Sequence, residues 1–143
     1  MKEGERVVKS GEEVRGAVTS FTDIVVWQKA HELFLLLARD VEAFPKTQAA
    51  RIVADQLLRS VGSISANIAE GFGRRTGAEY VHYLIVARGS TTESANWFMK
   101  CRDLDYLPQQ LGFDREGRCQ EILKMLNAMI GTLRRKAVSV LHH

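Results

Sequence analysis

Apolar residues recur at alternating spacings of three and four in four separate stretches of the chain, and that period lays each set along one side of an α-helix. The first set is Trp27, Ala30, Phe34, Leu37, Val41 and Phe44. Asp23 is placed to cap its start, and Phe44–Pro45 stops it, because the residue before proline is pushed out of the helical region. A second helix is predicted from about Gln48 to Phe72, with Ala50, Ala54, Leu57, Val61, Ile64, Ile68 and Gly71 on its seam and Gly71 and Gly73 closing it. A third runs from about Ala78 to Leu104 after a Thr76 cap, carrying Tyr80, Leu84, Ala87, Thr91, Ser94, Phe98 and Cys101. After a break at Tyr106-Leu107-Pro108, a fourth from about Asp114 to Lys136 aligns Cys119, Ile122, Leu126, Met129 and Leu133. Four long helices joined by short loops make an all-α, antiparallel up-down four-helix bundle.

The 143 residues suffice for one domain with one core, and 45% hydrophobic against 26% charged residues is the balance of a soluble globular protein. No apolar run approaches the roughly 20 residues of a membrane helix, and the N-terminus lacks the apolar stretch of a secretory signal. The expectation is a cytoplasmic protein without membrane attachment. Residues 1–20 mix glycines with balanced charges and are expected to form a flexible extension; residues 21–137 form the bundle and 138–143 a tail. His142 and His143 read as an added tail and stay out of any metal argument.

Apolar surface exceeds the single stripe that a bundle helix buries. Leu33-Phe34-Leu35-Leu36-Leu37 goes all the way round the first helix, and Trp97-Phe98-Met99 covers over half of the third. A second buried face follows, with Leu35, Leu36, Trp97 and Met99 as the residues expected between copies of the chain. The middle of the third helix, by contrast, is small and polar. Ala87, Gly89, Ser90, Ser94 and Ala95 permit a close helix approach that offsets their lower helix propensity.

No constellation for catalysis emerges. Glu79-Tyr80-Val81-His82 has the spacing of a di-iron bundle ligand pair, but such a site needs a second Glu-x-x-His and two more carboxylates, so a solvated helix face is expected and no metal. His31 beside Glu32 reads as an exposed or core-edge histidine. Cys101 and Cys119 have neither CxxC nor zinc spacing and read as unpaired thiols. Gly71-Phe72-Gly73-Arg74-Arg75 follows a helix rather than a strand and lacks the Lys-Ser/Thr of a phosphate loop. No cofactor is expected. Its glycines instead provide left-handed or tight backbone at a helix corner.

The segment Ser63-Ile64-Ser65-Ala66-Asn67-Ile68-Ala69-Glu70-Gly71-Phe72-Gly73-Arg74-Arg75, with Val26-Trp27-Gln28-Lys29-Ala30, Gly89-Ser90 and Leu104-Asp105-Tyr106-Leu107, resembles the four-helix-bundle proteins encoded in intervening sequences of bacterial large-subunit ribosomal RNA genes. The same fold serves as the accessory variability protein of diversity-generating retroelements. The resemblance spans about residues 21–136 and implies a ring of subunits, specifically a homopentamer. It implies no particular catalytic activity. Where the family usually has proline between the isoleucine and alanine, this chain has Ser65, which restores a backbone donor in mid-helix and removes the reason for a kink.

Two polar groups on the second helix, Asn67 and Glu70, read as a structural network that fixes helix register with Arg59, Arg88 or Ser90. Among the cations, Arg74-Arg75 and Arg134-Arg135-Lys136 adjoin without an intervening carboxylate. The net charge of +3 is modest, yet a symmetric ring would repeat these clusters into a concentrated positive field, which suits phosphate. The aromatic residues are expected mostly on the seams rather than as an exposed stacking surface. The functional expectation is therefore a non-catalytic, oligomeric binding module, not an enzyme, whose basic residues meet RNA or DNA, or a protein that works on them. The alternative is a structural or protein-interaction module whose cations only solubilise it.

Overall fold

The computed structural model describes residues 18–141, and within them the chain forms four helices and two single 3-10 turns. Residues 1–17 of the expected extension over 1–20, and the histidines at 142 and 143, lie outside the described residues, whereas Val18 and Ser20 of that extension pack and cap within the fold. Within the described residues, Val18 packs against the core, and a 3-10 turn follows at Phe21–Asp23. Asp23 caps that turn rather than the first helix. Its carboxylate accepts from the backbone N–H of Thr19 at 3.0 Å and of Ser20 at 3.2 Å, while the Ser20 hydroxyl accepts from Thr22 N–H at 3.2 Å. Helix α1, Val25–Asp40, follows with Ile24 at its N-cap and no side-chain capping bond.

A second 3-10 turn at Val41–Ala43 tightens the end of α1 before Phe44–Pro45 turns the chain. The α1 seam is rotated from the expected one: Val26, Ala30, Leu33 and Leu37 are buried, with Trp27 and Phe34 half-buried beside them. Helix α2, Gln48–Phe72, is capped by Thr47 and runs unbroken through Ser65. Helix α3, Gly77–Asp103, opens on a reciprocal pair in which Thr76 and Glu79 each accept from the other's backbone N–H. Its end is closed by Asp105, held at a φ of 57°, with Tyr106 N–H donating back to Cys101 C=O at 2.9 Å. This is a left-handed helix stop in which a residue other than glycine takes the strained position.

Helix α4, Gln109–Leu141, is longer at both ends than the expected 114–136. Pro108 C=O accepts the first helical bond from Gly112 N–H at 3.0 Å. A Cβ on Gly112 would lie 3.2 Å from Arg102 Cβ, so its bareness serves α3–α4 packing. Because α4 continues to Leu141, Arg134–Lys136 precede its final turn rather than ending it.

The core is one apolar cluster contributed by all four helices, centred on Leu33, Leu57, Ile64, Leu84, Phe98, Ile122 and Leu126. The expected all-α antiparallel four-helix bundle is the fold observed. Where α2 meets α3, hydroxyls replace much of the grease. Ser94 Oγ donates to Ser60 Oγ at 2.9 Å, Ser63 and Ser90 share a bond at 3.0 Å, and Asn67 Nδ2 donates to Ser63 Oγ at 2.9 Å. Among the described residues no buried side-chain polar atom lacks a partner. No helix of the described chain is long and apolar enough to cross a membrane.

Candidate functional site

The up-down path brings the α2–α3 corner, the start of α1 and the end of α4 to one end of the bundle. Arg74 and Arg75 sit at that corner and are exposed. Arg74 is committed locally: Nη2 bonds Glu70 and donates to Tyr83 Oη at 2.6 Å, and its guanidinium lies 4.9 Å from the Tyr83 ring centroid. Tyr83 foremost, then Glu70, raises its already high pKa. Arg75 makes no hydrogen bond or ion pair among the described residues.

The register of α4 against α3 is set by Arg88, which donates to Asn127 at 3.0 Å, and by Arg102, which donates to Glu116 at 2.7 Å. Carried along two antiparallel helices, that register puts Arg134, Arg135 and Lys136 level with Tyr80 to Tyr83, the first turns of α3. All three are exposed, and Arg135 only leans on Thr132 at 3.2 Å. Two basic clusters separated by two helices in sequence thus share one end of the fold. Glu70 and Glu79 are the acids between them in the corner, one paired with Arg74 and the other engaged in the α3 cap.

The residues read as a register network divide. Asn67 reaches Ser90 through Ser63, but Glu70 turns to Arg74, Arg59 pairs with Glu93, and Arg88 crosses to α4. The corner glycines act differently from the expectation of left-handed backbone. Gly73 has a φ of −78°, and Gly71 lies outside the positive-φ region. A Cβ on Gly71 would stand 2.8 Å from Tyr83 Cβ and 2.9 Å from Tyr80 Cδ1, so this glycine is needed for approach, not for φ. Gly89 faces open space and contributes nothing to the close α2–α3 contact, which rests on the serines and alanines.

Leu35 and Met99 stand out from the single chain at 51% and 47% exposure, whereas Leu36 and Trp97 are half-buried within it. Trp97 Nε1 donates to Glu93 at 3.1 Å, which ties the indole to its own helix. Most aromatic side chains lie in or against the core, as expected, and the start of α1 adds a partly exposed group. Trp27 and His31 stack at 4.7 Å with 12° between their planes, and Phe21 meets Trp27 edge-on at 5.1 Å. The Trp27–His31 spacing of four was the available signal.

A second feature left no trace in the sequence. Asp40, closing α1, and Arg115 in α4 form a buried bidentate ion pair across 75 residues. Beside it the two thiols are inert: burial pushes Cys101 and Cys119 up to about 12, helped at Cys101 by Asp40 and at Cys119 by Glu116. Neither can serve as a thiolate nucleophile at neutral pH. Among the described residues no three His, Cys, Asp or Glu side chains group as metal ligands.

The family described as 23S rRNA-intervening sequence protein matches residues 22–128. A solved structure from Bacteroides thetaiotaomicron, described as a protein with unknown function from the S23 ribosomal protein family, is 24% identical and superposes with a TM-score of 0.69. The alignment covers 75% of this chain and 96% of that one, and at this identity the likeness is one of fold. No curated protein matches the chain.

Proposed function

The chain belongs to the 23S rRNA-intervening sequence protein family, and on that premise we propose that it is a non-catalytic, oligomeric helical binding module whose basic end contacts the phosphates of RNA or DNA. What supports the proposal is that Arg75 and, about two helical turns further along, Arg134, Arg135 and Lys136 lie toward the same end of the bundle, exposed and without carboxylate partners among the described residues. Phosphate binding needs cations that are projected and not already neutralised. Arg74 is the exception in the set, because Glu70 and Tyr83 already hold it. Its role is to shape the corner from which Arg75 projects. The polar groups inside the fold bond to one another, which favours a scaffold over a reaction centre.

Self-association of the bundle as a ring, a pentamer on the family resemblance, would multiply this end around an axis and raise the local potential well above what a net charge of +3 gives one subunit. A gel-shift titration with structured RNA at two salt concentrations tests the reading. Binding at low salt should weaken steeply at high salt, and Arg75→Gln with Arg134→Gln, Arg135→Gln and Lys136→Gln should weaken it and flatten the salt dependence. Absence of binding at low salt, or an unchanged slope in the neutralised variant, overturns it in favour of a protein-interaction module.

A further inference from the structure

We propose that the Phe21–Trp27–His31 stack is a landing surface for an unpaired base, so that the polynucleotide taken by the basic end is single-stranded. The inference rests on the phosphate-binding reading and adds to it the state of the nucleic acid. Trp27 is half-buried and held between its two neighbours, so the outer rings are the ones a base would meet: Phe21 is 36% exposed and His31 is exposed. A base on the outer face of His31 extends the Trp27–His31 stack, and one against Phe21 meets an exposed ring, neither requiring the fold to rearrange.

Position supports the assignment. Phe34 packs against Gly62, where a Cβ would lie 3.2 Å from its ring, and this contact fixes the antiparallel register of α1 on α2. Carried toward the N-terminus of α1, that register sets Trp27 level with the last turn of α2 and the Phe21 turn beside the corner that bears Arg75. The acids nearby are already engaged. Asp23 accepts from Thr19 and Ser20 in its own turn, Glu32 pairs with Arg118 at 3.2 Å, and Glu70 is held by Arg74. Cations for the backbone and aromatic faces for the bases are the two elements by which proteins hold single strands, and every base offers a π-face whatever its identity. A duplex keeps its bases stacked on each other and offers only its phosphates here.

The test measures affinity for a short single-stranded RNA and for the same sequence as a blunt duplex, using the full chain, its Phe21→Ala/His31→Ala variant and its Arg75→Gln variant. Both aromatic substitutions fall on exposed side chains, and circular dichroism checks that helicity is kept. The aromatic variant should bind the single strand about five-fold or more weakly with an unchanged salt slope, and the duplex as before. Arg75→Gln should weaken both probes and flatten both slopes. In the native protein the single strand, and not the duplex, should perturb tryptophan emission through the ring stack. Equal binding of the single strand by the aromatic variant, or equal perturbation by both probes, overturns the inference while leaving the phosphate reading in place. Native protein that binds neither probe overturns both. A smaller particle mass in the aromatic variant with unchanged affinity assigns the strip to contact between copies, and also overturns it.

Discussion

Arg115 grips Asp40 through two bonds, Nε to Oδ2 at 2.7 Å and Nη2 to Oδ1 at 2.9 Å, and the two side chains keep only 7% and 6% of their exposure. The pair fastens the end of α1 to the second turn of α4, where the apolar seam of α1 has run out. Outside it lie the exposed ion pairs Lys29–Glu121 and Arg118–Glu32, so the α1–α4 contact is unusually polar for a bundle.

Asp40→Leu leaves the buried Arg115 with only the more exposed Asp114 as its partner, and should cost up to about 3 kcal/mol of stability. The double variant Asp40→Leu/Arg115→Met removes both charges and should recover most of the loss. Urea unfolding of the two single variants and the double one checks this; additive losses would show that the pair is not coupled.

Two glycines at the α2–α3 corner should respond in opposite directions to the same substitution. Gly71→Ala drives a methyl into Tyr83 and Tyr80 and should destabilise by about 1–3 kcal/mol. Gly73→Ala meets only carbonyl oxygens at 3.6 and 3.9 Å, at a φ that alanine accepts, and should be neutral or stabilise by up to about 1 kcal/mol. Thermal midpoints of the two variants decide it.

The Asp114 carboxyl is held below its ordinary value of 3.8, first by the bond from Arg118 and then by that from Arg115. A depressed folded pKa means that the stabilisation is complete above the unfolded value and is lost as pH falls through the lower folded one. Asp114→Asn should therefore be less stable than the native chain at neutral pH, by no more than about 1 kcal/mol for so exposed a group. The difference should begin to shrink as pH falls through about 3.8 and vanish only below the lower folded value, in unfolding curves taken across the acid range.

Leu35 and Met99 should matter to assembly and not to the subunit. Light scattering on the native chain should return several times the subunit mass of 16.1 kDa. Leu35→Glu with Met99→Glu should lower that mass with helicity retained, since both side chains project from the single chain. A native particle of one subunit would remove the basis for a ring.

The helices were legible because helical period is a local property. Residues Gln48–Phe72 carry their seam within one segment closed by Gly71 and Gly73, and α2 forms over those bounds. Where local signals conflict, the reading slipped. The expected start of the fourth helix is about Asp114, yet α4 starts at Gln109, and the bare α-carbon of Gly112 lets Arg102 pack close. Asp23 looked like a helix cap, but the three donors it satisfies belong to the preceding turn. Glu70 looked like a member of the α2–α3 network, yet a cation four residues on offered it a nearer partner than any across the interface.

The sequence by itself determined four amphipathic helices, their order and the small, hydroxyl-rich middle of α3, because each depends on residues within a few turns of one another. Tertiary structure alone decided that Asp40 finds Arg115, that Arg134–Lys136 come level with the first turns of α3 toward the end that bears Arg75, and that Phe21 and His31 flank a half-buried Trp27. Those meetings depend on the register and rotation of one helix against another, which the packing of whole seams sets jointly and no single segment encodes.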